Sequence, residues 1–346
     1  YSNKMSYGRR IWAFLQFAVL SSIKATQLGG DVIFATSTPL TVAVPGIIAA
    51  RLRRARFVFE IRDLWPELPV EVGALRNPIA IRFAFALARA AYRNADHVIA
   101  LSQGMADGIA SHGYPVERIS VVPNASDLDL FATANQDAQH FRGANPWLEK
   151  RPLVVYVGTF GLVNGVSYLV RLAAEMANID PEVRFLLVGD GAERTKVHDL
   201  ADELSVLDRN LMILPEVPKA QVPGILGAAT FATSVFLPFP GMAANSANKF
   251  FDALAASRPI AINYKGWQAE VLREADAGVV LDPVDVASAA MLLATRIRDE
   301  AWLEQARHAS RQLAATRFSR DLLFETFLTA VLGRTAIDSV VGESGR

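Results

Sequence analysis

Along this chain, short and nearly continuous apolar runs alternate with longer stretches in which apolar positions return every three or four residues. The first pattern is that of a β-strand covered on both faces, the second that of an amphipathic helix, and their alternation predicts parallel βαβ units. Strands are expected at VIFATS (32–37), RFVFEIR (56–62), HVIALS (97–102), ISVVPN (119–124), LVVYVG (153–158), RFLLVG (184–189), LMILP (211–215), FATSVF (231–236) and PIAIN (259–263). From 125 to 152 the alternation lapses into a polar stretch containing Gly143, Pro146 and Pro152, which reads as a linker. The expected fold class is therefore α/β, with two Rossmann-like, doubly wound domains: an amino-terminal one over 1–142, a carboxyl-terminal one over 148–317, and a tail over 318–346.

Composition narrows the chemistry. With 346 residues, 51% of them hydrophobic, the chain can bury the core of two domains. Lys+Arg and Asp+Glu both number 35, so no overall field draws nucleic acid, and no nucleic-acid partner is expected. The absence of cysteine excludes disulfides, thiolate metal sites and thiol nucleophiles, and it fits a reducing, cytoplasmic setting. The five histidines never stand four apart on a helix, so the usual helical zinc pair is missing. The run IWAFLQFAVLSSIKA (11–25) falls short of the roughly 20 apolar residues that cross a bilayer, and Gln16, Ser21 and Ser22 interrupt it. No small-residue cleavage site follows it. It reads as a core helix or as one lying on a membrane surface.

In doubly wound sheets ligands bind outside the carboxyl ends of the strands, which singles out the residues just past each apolar run. GTFGLVNGVSYL (158–169) and GDGAERTKVHDL (189–200) are glycine-containing turns that lead into helical patterns. Gly158, Gly161, Gly189 and Gly191 serve either tight turn geometry or the close approach of an anion to unpaired N–H groups. NSANKFFDALAASRP (245–259) opens a helix at the same edge, with Ser246, Asn248 and Lys249 at its start and Asp252 one turn on. A phosphate there would meet backbone N–H groups, the positive end of the helix dipole and the Lys249 ammonium, while Asp252 would accept hydrogen bonds from sugar hydroxyls. The plainer alternative makes Ser246 an N-cap, Asp252 a first-turn carboxylate and Lys249 a solvated charge. In the first domain RDLWPELP (62–69) carries Arg62, Asp63, Trp65 and Glu67 past a strand end. There the alternative has Trp65 packing, Glu67 solvated and Arg62 paired with Asp63 or Glu67.

Several stretches fall together in one order: FEIRDLWPE (59–67), AYRNADHVIALSQGM (91–105), ISVVPNASDLDLF (119–131), YVGTFGLVNGVSYL (156–169), FLLVGDGAER (185–194) and NKFFDALAASRPI (248–260). In this set the chain resembles the retaining glycosyltransferases of family 4, over nearly all of 30–335, and most closely those that assemble bacterial O-antigen and capsule polysaccharides. The resemblance implies a GT-B fold, two Rossmann-like domains facing across a cleft, with a helix of the tail crossing back towards the first. It implies transfer of a hexosyl or N-acetylhexosaminyl group, with retention, from a nucleotide sugar (most often a UDP-sugar) to a carbohydrate or lipid-linked acceptor. Neither metal nor cofactor is implied, and the leaving phosphate takes the acceptor's proton. On that reading Arg62 and Lys249 are catalytic, and Asp63, Trp65 and Glu67 line the acceptor side. The donor lies against Gly158, Thr159, Gly161, Asn164, Gly189, Gly191, Ser246 and Asn248, its ribose on Asp252 and its base on the backbone of Pro215, Glu216 and Val217.

The departures from the family pattern carry information. Ala244 stands where the family has the first of two Glu, and Thr159 and Asn164 stand where it has a phosphate-binding Arg and Lys. Lys249 and Arg62 are the replacements that chemistry offers. The family begins with a strand, a Gly-rich loop and a helix, none of which precedes YSNKMSYGRR, so the first sheet is expected to lack its central strand. Two other readings stay open: a nucleotide-sugar 2-epimerase of GT-B fold, for which no paired His and Glu are evident, and an inactive nucleotide-sugar-binding subunit, in keeping with Ala244. Arg9, Arg10 and ARLRRARF (50–57) form either a peripheral contact with the inner face of a membrane or a solvated basic surface.

Overall fold

The computed structural model describes residues 7–333. They form two compact units, the first holding residues up to 123, then 244–246 and the residues from 321 on, the second holding 124–243 and 247–320. Each unit contains one parallel sheet, as the consecutive apolar runs require.

In the first unit β1 (Val32–Thr36), β2 (Arg56–Ile61), β3 (His97–Ala100) and β4 (Ile119–Val121) lie in sequential order. Alternate residues of β2 serve opposite faces. Phe57, Phe59 and Ile61 enter a core shared with Ala88, Tyr92 and Ile109 of the following helices. Val58 turns the other way, to Ile99, Val122 and Ala330, so the helix Arg320–Leu332 closes the second face. Phe34 meets Phe327 of that helix edge to face at 5.2 Å.

In the second unit β5 (Leu153–Val157), β6 (Arg184–Val188), β7 (Leu211–Leu214), β8 (Phe231–Ser234), β9 (Ile260–Ile262) and β10 (Gly278–Val280) stand in the order β10-β9-β8-β5-β6-β7. The chain builds outward from β5 in one direction, then returns to its other side at β8 and builds outward in the opposite direction. This is the doubly wound order, and it opens a crevice between the carboxyl ends of β5 and β8. The strands expected from sequence are present with their ends trimmed, and β10, only three residues long, is an addition.

The expected boundary at 142 and the linker over 125–152 are corrected by the structure. Residues 134–144 form a helix that belongs to the second unit and packs on the helix Val222–Gly227. The contact is made through small residues, Ala134 and Ala138 against Gly227, with Gly224 against Asp137, which is why the segment looks too polar to have a buried face. Arg142 then ties the helix down through the carbonyls of Ala228 (2.7 Å), Glu149 (3.1 Å) and Arg151 (3.2 Å).

A Cβ at Gly227 would stand 2.1 Å from the Ala134 carbonyl oxygen, a backbone atom that moves only with its whole helix. Gly227→Ala is therefore expected to lower stability by about 1–3 kcal/mol, the usual scale of overpacking, as read from the urea midpoint. A midpoint equal to that of the parent would show that the helix 134–144 is not held as described.

Candidate functional site at the switch point of the second sheet

Past the end of β8, a loop leads into the helix Asn248–Ala255, whose Phe250 and Phe251 are completely buried and fix its axis. Lys249, between the exposed Asn248 and these rings, turns its side chain over β5. A Cβ at Gly158, the first residue past β5, would come within 2.5 Å of Lys249 Cε, so any side chain there would displace the lysine stem. The ammonium lies 5.3 Å from the Tyr156 ring centroid and 5.6 Å from that of Phe236. With its amide turned to suit both neighbours, Asn164 donates to the Thr159 carbonyl at 3.1 Å and accepts from Lys249 Nζ at 3.3 Å. Burial pushes the Lys249 ammonium down to about 8, with Asp252 opposing the shift. The alternative of a solvated lysine is thereby set aside.

Asp252 lines the same small crevice as Lys249, together with Val157 and Thr233. Burial raises its carboxyl above the usual range, against the pull of Lys219, whose Nζ lies 3.5 Å from Asp252 Oδ1. Lys219 was not foreseen: it follows β7 in PEVPK, and in sequence nothing separates it from a solvated lysine. Pro215, Glu216 and Val217 lie just past β7, and the Glu216 and Val217 amides make no hydrogen bond among the described residues.

The two glycine turns are corrected in part. Neither runs directly into its helix, since a 3-10 turn (Leu162–Asn164) separates Gly161 from the helix Ser167–Ile179, and the other helix starts at Arg194. Most of their amides are already used. Gly158 N donates to Val188 O (2.9 Å), Phe160 N to Asp190 O (2.9 Å), Gly189 N to Leu214 O (3.1 Å) and Gly191 N to Asp190 Oδ1 (2.8 Å). A Cβ at Gly189 would stand 1.9 Å from Gly158 O, so this glycine serves strand-end packing. Thr159 and Gly161 retain amides with no partner among the described residues. The N-cap of the helix 248–255 is Ala247, with no side-chain cap bond, so the buried Ser246 is not the cap that sequence suggested.

In the first unit the sequence-selected residues lie past β2. Arg62 N donates to Ser37 Oγ (2.9 Å), and its guanidinium lies 3.6 Å from Glu60 and also acts on the neighbouring Asp63 carboxylate. Asp63 accepts from Thr38 Oγ1 (3.2 Å), and burial raises its carboxyl while Thr38 and Arg62 oppose the rise. Trp65 is half-buried against the first core. Glu67 is bonded to His112 Nε2 at 2.6 Å, with the imidazole near the Phe85 and Tyr92 rings. His112 is a second residue that sequence reasoning missed, because its partner lies 45 positions away.

Comparison with known proteins bears on the family and the fold. Residues 4–125 match the family model described as glycosyl transferase 4-like domain, and residues 137–313 match that of glycosyl transferases group 1. A 2-deoxystreptamine glucosyltransferase of Streptomyces kanamyceticus is 25% identical over 250 residues, which are 71% of this chain and 62% of that protein. The chain thus aligns with less than two thirds of that relative's length. Among solved structures, Anabaena Alr3699/HepE in complex with UDP and glucose is 20% identical, with a TM-score of 0.74 over 90% of this chain and 80% of that one. The sucrose-phosphate synthase of Thermosynechococcus elongatus is 18% identical, with a TM-score of 0.73 over 97% of this chain and 81% of that one. The fold is GT-B.

The site makes a prediction of its own. In a side-chain nitrogen NMR titration Lys249 should lose its proton near pH 8, and in Asp252→Asn at still lower pH, because the carboxylate that favours the cation is gone. A Lys249 that titrates near the ordinary lysine value of about 10.4 would contradict the enclosure described here.

Proposed function

Because the chain belongs to the glycosyl transferases group 1 family, we propose that it transfers a sugar from a UDP-sugar to a hydroxyl of a carbohydrate or lipid-linked acceptor, with retention at the anomeric carbon. The observation that carries this reading is the Lys249 ammonium at the switch point, which lies 3.3 Å from the Asn164 amide oxygen and has no ion pair with a carboxylate among the described residues, while the Thr159 and Gly161 amides of the same turn have no partner among those residues. In the reaction the bond from the anomeric carbon to the diphosphate oxygen breaks as the acceptor oxygen bonds to the same face of the sugar. The acceptor's proton passes to the departing phosphate oxygen, so no separate base is required. Negative charge grows on the diphosphate, and Lys249 stabilises it from its half-buried position at the sheet end. Asp252 holds the ribose, the amides of Glu216 and Val217 meet the base, and Arg62, Asp63, Trp65 and Glu67 serve the acceptor. The transferred group is of hexosyl or N-acetylhexosaminyl type, and the product belongs to a cell-surface polysaccharide. The solved Anabaena complex with UDP and glucose is in keeping with this donor class.

A peripheral membrane contact belongs to the same reading, since a lipid-linked acceptor is reached from a membrane surface. It is supported by the helix Tyr7–Leu28, which exposes Trp12, Leu15, Phe17, Leu20 and Ile23. No helix among the described residues is long and apolar enough to cross a bilayer. The basic stretch contributes less than its composition promises. Arg53 donates to the Thr26 and Gln27 carbonyls and Arg56 to that of Ala330, which leaves Arg51 and Arg54 at the surface, while the Arg10 side chain lies outside the described residues.

Lys249→Ala should lower turnover by roughly a hundredfold, the scale of losing one preorganised electrostatic group, and an unchanged rate would remove Lys249 from the mechanism. UDP affinity in the parent should fall as pH rises through about 8, because the ammonium that binds the diphosphate is lost there, and this dependence should vanish in the variant. For the membrane contact, flotation with vesicles containing anionic lipid should carry the protein upward at low salt and less so at high salt, each surface arginine contributing about 1 kcal/mol. Protein that stays at the bottom of the gradient at every salt concentration would favour a soluble acceptor.

A further inference from the structure

A second cavity in the same unit, of about 510 Å³, opens past the carboxyl ends of β9 and β10 and has no role in the donor reading above. Its walls include Phe239, Leu281, Ala289 and Leu292, and two cations, Lys265 and Arg273, stand at it. None of its lining residues lines the crevice of Lys249 and Asp252. The volume falls in the range of small-molecule sites, and so does the mixture of apolar wall and few charged groups.

The polar groups define what could bind. Asn263 is committed, accepting from Phe236 N (2.8 Å) and donating to Phe236 O (3.0 Å). The Tyr264 hydroxyl is shared between Ser234 (3.1 Å) and Gln268 (2.8 Å). Two of the lining side chains able to read a nucleobase or sugar edge are therefore occupied. The Asp282 carboxylate accepts from the Val284 and Asp285 amides, both at 2.8 Å, and so serves its own turn. Lys265 and Arg273 make no hydrogen bond or close ion pair among the described residues. What the cavity offers is an apolar volume with two cations and one carboxylate at its wall: Lys265 feels the Asp282 carboxylate, which leaves an excess of one positive charge.

The wall itself is held in place. Gly266 adopts a φ of +107°, and a Cβ there would stand 2.1 Å from the Ala243 carbonyl oxygen, so the 238–243 loop and the 263–266 turn are in direct backbone contact. The opposite wall carries Ala289 and Leu292, from the helix Val286–Arg298. Such a cavity is preformed, which lowers the ordering cost of binding.

We propose that this cavity is a binding site for an organic anion with an apolar body, a phosphate or carboxylate carried on an alkyl or similar chain. The apolar part lies against Phe239, Leu281 and Leu292, and Lys265 and Arg273 hold the anionic head. The site is separate from the nucleotide site, and both can be filled at once.

The test is calorimetric titration of the full chain with three probes below their micelle concentrations: octyl phosphate, octyl glucoside and inorganic phosphate. Octyl phosphate should bind and the other two should bind at least about tenfold more weakly, since each lacks one of the two required parts. Lys265→Ala and Arg273→Ala should each weaken octyl phosphate by about tenfold, and Leu292→Asp should do so without lowering the melting temperature. Saturating UDP should leave the octyl phosphate affinity within about twofold, a change of less than 0.5 kcal/mol. Equal binding of octyl phosphate and octyl glucoside would overturn the anionic part, and equal binding of octyl phosphate and inorganic phosphate the apolar part. Displacement by UDP would overturn the separateness of the two sites. Failure of octyl phosphate to bind up to about 1 mM would overturn the proposal as a whole, while leaving UDP binding at Lys249 to be judged by its own titration.

Discussion

An ammonium flanked by Tyr156, Phe236 and Asn164 is half-buried, and part of its water is replaced by two ring faces and one amide oxygen. Such a group is held at a cost in free energy, which appears as the depressed proton affinity of Lys249 and which an arriving anion offsets. Much of the second unit can be understood as holding this charge where it is. Gly158 lets the lysine stem pass, and Gly189 lets the next turn close over Gly158. Phe250 and Phe251 anchor the helix among Trp267 and Phe318, so Lys249 cannot swing out with its backbone.

Sheet order supplies the rest. With β8 beside β5, the loop that leaves β8 crosses the end of β5, and Leu237 N bonds Val163 O at 2.9 Å. This joins the turn carrying Asn164 to the segment that leads to Lys249. Asn164 occupies the position at which the resembled family has a lysine, and the Lys249 ammonium arrives at that same amide. In the proposed function the positive charge thus changes its element of origin and keeps its place. On the far side of the same loop, Pro238, Phe239, Pro240 and Ala243 form part of the 510 Å³ cavity, so one segment of chain borders both proposed anion sites.

Much of this was legible in the sequence, for a physical reason in each case. Strands covered on both faces are continuous apolar runs, so β5 and β6 announce themselves, and the residues just beyond them are where a doubly wound sheet binds ligands. Lys249, Asp252 and Asn164 were selected in that way and lie together. What was not legible depends on contacts between distant positions. The helix 134–144 buries alanines against Gly227 and shows no apolar stripe. Lys219 reaches Asp252 across 33 residues and His112 reaches Glu67 across 45. Whether the amides of the glycine turns are free is not legible either, because a sequence shows that a turn exists, not which carbonyls its neighbours present to it.

The central claim, that the Lys249 enclosure is the seat of the donor diphosphate, is tested most directly by a crystal structure of the protein with UDP. The account predicts a phosphate oxygen within about 2.7–3.2 Å of Lys249 Nζ, with the remaining contacts at the Thr159 and Gly161 amides. A diphosphate ordered elsewhere, with the ammonium still shut in by Tyr156 and Phe236, would contradict it.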